Sequence, residues 1–181
     1  MYSFRSHFRI CHLNLTVASS LLPLLHLHCS SFKTARNGCN GGTYAVAYNG
    51  IREAGGITFE DFYPYNISNQ ISAVCDLTRN DYTVTVDSWY TIQRREQDMI
   101  EYVLTTGPMT AIVDASNWGY YKNGTFSGCS VKHKINHGVQ IVGVDVEGGY
   151  WIIRNSWGTG WGNKGYMKLA LVRSVTLTAP L

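Results

Sequence analysis

Four short apolar runs in the second half of the chain set the tightest limit on what it can fold into. "MTAIVDA" (109–115), "GVQIVGVD" (138–145), "YWIIRN" (150–155) and "YMKLA" (166–170) each read as a strand. The middle pair is separated by Glu147-Gly148-Gly149, a turn that joins them as a hairpin. Ahead of them lie two helical patterns. In "GGTYAVAYNGIREAGG", Tyr44, Tyr48 and Ile51 fall at i, i+4 and i+7, and Gly55–Gly56 supply the stop. In "EQDMIEYVLTTGP", Met99, Ile100, Val103 and Leu104 form one face, and Gly107–Pro108 end the helix. "DYTVTVDSWY" (81–90) alternates like a strand, and "GITFEDFYPYN" is an aromatic loop held by Pro64. A helix first, then a mostly antiparallel β region with one helix beside it, is an α+β arrangement.

Composition removes several function classes. The chain has 181 residues, 45% apolar and 15% charged, which suits one substantial core or two small ones. A net charge of +3 without a long basic run gives nucleic-acid binding no electrostatic support. No apolar stretch reaches the roughly 18 residues a membrane helix needs. Cys11, Cys29, Cys39, Cys75 and Cys129 include no CxxC pair, so a zinc ribbon or thioredoxin-type site is disfavoured. Scattered cysteines suit disulfides in an oxidising compartment, and sequons at Asn14, Asn66 and Asn123 agree with a secretory route. The odd count leaves at least one thiol without an intramolecular partner.

Residues 1–28 differ from the rest. Arg5 and Arg9 precede "LLPLLHLH", an apolar run broken by Pro23 and two histidines. This leader reads either as signal-like or as sequence outside the folded domain. The well-formed part begins at Cys29. His26, His28 and Cys29 in "HLHC" lack a fourth metal ligand and are set aside as chance. Lys132, His133 and Lys134 are read as a solvated loop.

The chemistry gathers around His137. An apolar strand follows it, and Gly138 keeps bulk away from the imidazole. Pairing across the 147–149 turn brings Asn155, at the end of the next strand, towards it. A carboxamide oxygen there can accept the imidazole N–H and fix the tautomer, and Trp157 can cover the bond. The plainer alternative is that Asn155 caps a turn and the tryptophans are core. "NSWGTGWGNKGY" favours the functional reading, because Gly158, Gly160, Gly162 and Gly165 let backbone pack around two indoles.

"GCNGG" (38–42), "INHGVQIVG" (135–143) and "YWIIRNSWGTGWGNKGYMKLA" (150–170) resemble the papain-like cysteine peptidases, the family of papain and cathepsin L. The resemblance runs from about Cys29 to Ala170. It implies a partial helical left lobe over 29–80 and an antiparallel, barrel-like β right lobe over 81–170, with 171–181 a divergent tail. By resemblance, His137 is the general base, Asn155 its orienter and Trp157 the shielding indole. Gly41 and Gly42 bind an extended peptide as an added strand. Tyr44, Ile112, Ile135 and Gly138 line an apolar specificity pocket, which implies a bulky apolar side chain two positions before the cut. The implied partners are an extended peptide or protein substrate and a cystatin-type inhibitor. No cofactor, metal or membrane is implied, and the compartment is secreted or a lysosomal or vacuolar lumen.

The family's nucleophile lies in a C-G-S-C-W-type stretch. Nothing here matches it: Cys11 sits in "FRICHLNL", and no glutamine for the oxyanion hole occurs before Gln70. The resemblance implies a Cys29–Cys75 bridge, with Cys39 and Cys129 left without their usual partners. Each lost bridge costs roughly 2–5 kcal/mol in a secreted domain, against a total stability of about 5–15 kcal/mol. Three readings follow: a peptidase relative whose nucleophile half is missing, a non-catalytic peptide- or inhibitor-binding protein, and an incomplete or mis-joined coding sequence.

Overall fold

The structure is a computed structural model that describes residues 5–8, 43–53, 55–58, 83–92, 95–129 and 135–171. Its contacts divide the chain into two units, one of Ile10–Trp89 and one of Met1–Arg9 with Tyr90–Leu181.

The first unit carries helix α1 (Tyr44–Glu53) and a short ladder of β2 (Ile57–Thr58) with β3 (Thr83–Val84). Thr43 caps α1 by accepting the Val46 N–H on its hydroxyl. At the other end Gly56 N–H bonds Ile51 O at 2.9 Å, with Gly55 in the left-handed region (φ 83°) where glycine costs nothing. Ala47, Tyr48, Gly50 and Ile51 form the buried face, so Tyr48 and Ile51 of the expected stripe lie on it while Tyr44 is half-buried. The indole N–H of Trp89 reaches Asn49 Oδ1 at 2.9 Å. Of the strand expected over 81–90, the described residues 83–90 form a ladder at Thr83–Val84 only. Beyond it Val86 is buried and Thr85 and Asp87 are exposed, so the alternation reflects packing rather than a ladder.

The second unit is a six-stranded sheet in the order β1-β4-β6-β7-β8-β5. Its strands are β1 (Arg5–Phe8), β4 (Met109–Val113), β5 (Thr125–Phe126), β6 (His137–Asp145), β7 (Tyr150–Arg154) and β8 (Tyr166–Ala170). All neighbours are antiparallel except β5 and β8. The four apolar runs are thus β4, β6, β7 and β8, and β6 and β7 close the expected hairpin. Among the described residues β6 is the longest strand, and it pairs on both sides. A register shift between Ile141 and Gly143 lets it bend against β7.

Period-2 alternation sends Met109, Ala111, Val139, Ile141, Trp151, Ile153, Met167 and Leu169 into one core. Helix α2 (Glu96–Thr105) packs on it through Met99, Ile100 and Tyr102. The Trp151 indole, fully buried, donates to Glu96 Oε1 at 3.1 Å and ties strand to helix. One face residue differs from expectation. Leu104 is 62% exposed and Tyr102 takes the inward place. At 3.6 residues per turn Leu104 stands about 140° round from Met99, just past the edge of the buried arc.

Candidate active site

The site is assembled at the start of β6 and the exit of β7. Val113 of β4 pairs with His137, and Ile112 with Gly138, so the histidine enters the sheet in register. Asn136 fixes the approach. Its N–H donates to Val113 O, its Oδ1 accepts the Ala115 N–H, and its Nδ2 donates to Ser116 Oγ, each at 3.0 Å. Three bonds on the residue before the imidazole leave the backbone of His137 little freedom. This clasp was not read from the sequence, although an asparagine flanking a candidate base was a signal for it.

β7 ends at Arg154, opposite Gln140, and Asn155 is the next residue. Its N–H bonds Gly165 O at 3.0 Å. Its side-chain oxygen lies 2.8 Å from His137 Nε2 and also accepts the Ser156 N–H at 2.7 Å. A carboxamide oxygen cannot donate, so Nε2 carries the proton and the neutral imidazole keeps its lone pair on Nδ1. Asn155 Nδ2 is buried and has no hydrogen-bond partner among the described residues.

Trp157 lies over the imidazole, with ring centroids 4.9 Å apart and planes tilted by 34°. It is 40% exposed, so it is not core. It meets Trp161 edge-on at 5.1 Å, and Trp161 meets Tyr121 at 5.6 Å. Trp161 is buried, and its N–H donates to Trp118 O at 3.0 Å. Tyr121 is held in turn, donating its hydroxyl to Gly124 O at 2.6 Å and accepting the Lys168 N–H at 3.2 Å. A file of rings therefore connects the imidazole to the core.

Glycine has a defined part in this turn. Gly162 has φ 57°, and a Cβ there would stand 2.6 Å from Tyr166 O. Gly158 and Gly165 share positive φ, but Gly160 meets neither condition, so three of the four glycines are required.

The remaining candidates are distributed as follows. Ile112 and Gly138 are cross-strand neighbours, Ile112 half-buried and Gly138 exposed, with half-buried Ile135 two residues before the histidine. Tyr44 opens α1 in the other unit and stacks on Tyr48 at 6.4 Å. Burial, and secondarily Tyr48, pushes its phenol well above the ordinary value. Cys129 is half-buried against the core. Gly41, Gly42, Cys11, Cys39 and the Cys29–Cys75 pair lie outside the described residues, as do His26, His28 and Lys132–Lys134. No group of three metal-ligating side chains occurs among the described residues.

Comparison with known proteins gives the same direction. The sequence profile described as papain family cysteine protease matches residues 16–177. The KDEL-tailed cysteine endopeptidase CEP2 of Arabidopsis thaliana is 39% identical over 137 residues, covering 73% of this chain and 37% of the relative. Cathepsin L2 of Homo sapiens is 36% identical over 145 residues, covering 74% and 42%. Vignain of Phaseolus vulgaris is 38% identical over 144 residues, covering 76% and 38%. The chain thus spans about two fifths of the length of these curated relatives. Among solved structures, the Carica candamarcensis cysteine protease CMS1MS2 in complex with E-64 superposes with a TM-score of 0.72. It is 28% identical, and the match covers 86% of this chain and 70% of that one.

Proposed function

The chain belongs to the papain family of cysteine proteases, and we propose that it carries the base half of a peptide-hydrolysing site without the nucleophile half. In this reading His137 is the general base, Asn155 holds it and Trp157 shields the pair. The observation that carries it is the 2.8 Å contact between His137 Nε2 and Asn155 Oδ1 under the indole. With Nε2–H so engaged, Nδ1 is the nitrogen that takes a thiol proton. In an intact member of the family the thiolate then attacks the peptide carbonyl, and the imidazolium returns that proton to the leaving amine as the acyl-enzyme forms.

Two further features belong to the proposal. Ile112, Ile135 and Gly138 form part of an apolar wall that accepts a bulky apolar side chain of an extended peptide. The compartment is secreted, lysosomal or vacuolar. One relative is KDEL-tailed by name, a tail read in the lumen of the endoplasmic reticulum, and the sequons and scattered cysteines of this chain agree with that route.

None of the cysteines stands in the family's nucleophile motif, so the chain as written does not turn over peptides. The test is to incubate the full chain with a thiol-directed epoxide and with a fluorogenic peptide bearing a bulky apolar residue two positions before the cut. No turnover and no His137-dependent labelling are expected. Labelling of Cys11 or Cys39 that disappears in His137→Ala would overturn the inactivity. Peptide binding that persists unchanged in His137→Ala, without cleavage, would support the non-catalytic binding role instead.

A further inference from the structure

We propose that Asn123 is an acceptor for an N-linked glycan, and that the ring of Tyr120 is the surface on which its first sugar packs. From the functional reading this takes only the lumenal compartment, which the experiment below supplies.

Asn123-Gly124-Thr125 is the one sequon of the three that lies among the described residues. Asn123 and Thr125, the acceptor and the hydroxyl residue the signal requires, are both exposed. The tripeptide sits on a fixed base. Tyr121, buried, ties Gly124 O and Lys168 N–H to its hydroxyl, and Thr125 begins β5 in register with Lys168. Among the described residues β5 is the last strand in the sheet order, and Asn123 just before it is exposed. Asn123 is exposed and is not a member of the core that holds Trp118, Tyr121 and Trp161, so a bulky group on it replaces no core side chain.

Tyr120 gives the site its second feature. Its neighbour Tyr121 is 7% exposed and Trp118 only 1%, whereas Tyr120 is 97% exposed and makes no ring contact among the described residues. The turn between Trp118 and Tyr121, closed by Tyr121 N–H on Trp118 O at 3.0 Å, turns this one ring outward. A lone exposed aromatic is unremarkable on a surface. Three residues before an exposed sequon it is a ready platform, because the electropositive C–H groups of a sugar face the electron-rich face of an aromatic ring.

In the reaction, Asn123 Nδ2 forms a bond to the anomeric carbon of a lipid-linked oligosaccharide. The bond from that carbon to the lipid pyrophosphate breaks, the pyrophosphate leaves, and the amide gives up one proton.

The full chain is to be directed into the lumen of a eukaryotic secretory host behind a cleavable signal, then treated with peptide-N-glycosidase in heavy-oxygen water and mapped by mass spectrometry. The oxygen label excludes deamidation at Asn123-Gly124 that preceded the treatment, and a sample kept in heavy-oxygen water without the enzyme reads what arises during it. Labelled aspartate at position 123 above that enzyme-free level is expected, and Thr125→Ala should fall back to it. A lumenal chain whose Asn123 carries no label overturns the acceptor assignment. For the platform, the first sugar's proton signals are expected upfield through ring current in the glycosylated protein and to move back in Tyr120→Ala. Identical sugar signals in the two proteins overturn it.

Discussion

Replacing the glycines of the 157–165 turn one at a time dissects what holds the indoles over the imidazole. At Gly160 a Cβ has nothing within 4 Å, and no positive φ is involved, so Gly160→Ala should change stability by less than about 0.5 kcal/mol. At Gly158 the space is also open, but φ is 80°. Gly158→Ala carries the cost of a left-handed alanine alone, about 1–2 kcal/mol. At Gly162 both penalties apply. The φ is 57°, and the new carbon would stand 2.6 Å from Tyr166 O and 3.2 Å from the Tyr121 ring. The first of these is backbone of β8 and cannot swing aside. Forced repacking adds about 1–3 kcal/mol to the conformational cost, giving about 2–5 kcal/mol in all. Urea unfolding followed by tryptophan fluorescence reads the series. With a mid-range slope of about 2 kcal/mol per M, the Gly162→Ala midpoint should fall by about 1–2.5 M. The required order is Gly160, then Gly158, then Gly162. A Gly162→Ala midpoint within error of Gly160→Ala would refute the steric reasoning.

Other expectations follow from the same core and surface. Ile100→Ala should cost about 2–5 kcal/mol, because its side chain is 1% exposed, while Leu104→Ala should fall within about 0.5 kcal/mol; chemical denaturation of the pair checks whether α2 is rotated as described. Asp145 accepts the Gly148 N–H at 2.7 Å, and this bond, then Tyr150 and Lys168, hold its carboxyl below the ordinary carboxylate range. A depressed folded value means that its contribution is full above the unfolded pKa of about 3.9 and is lost as pH falls through the folded value. Melting temperatures at neutral and acidic pH should therefore show a smaller acid loss in Asp145→Asn than in the parent; equal losses would contradict the assignment.

How much of this was legible in the sequence depends on the range of the forces involved. Strands β4, β6, β7 and β8 were legible because alternation is local and each buries one face. Leu104 was misplaced because four apolar residues on a short helix do not say where the sheet ends, and Tyr102 wins the place with a larger ring. Over 85–90 the alternation reports burial without a ladder, because a strand also needs a partner, and among the described residues β2 pairs β3 only through Ile57 and Thr58. For the site, the approach of Asn155 to His137 followed from the hairpin arithmetic. The Asn136 clasp did not, because it depends on Ala115 and Ser116, some twenty residues away in sequence. Nor did the support of Trp161 by Tyr121, which joins residues 40 apart through a ring contact without periodicity. The roles of Gly41, Gly42 and the Cys29–Cys75 pair rest on family resemblance alone.

The central claim is that a carboxamide fixes one nitrogen of an imidazole and leaves the other ready for a proton. Nitrogen-edited NMR of the His137 ring tests it most directly. The account requires a slowly exchanging proton on Nε2, a bare Nδ1 in the neutral form, and loss of that slow exchange in Asn155→Ala. A ring protonated on Nδ1, or an Nε2 proton indifferent to Asn155→Ala, would contradict it.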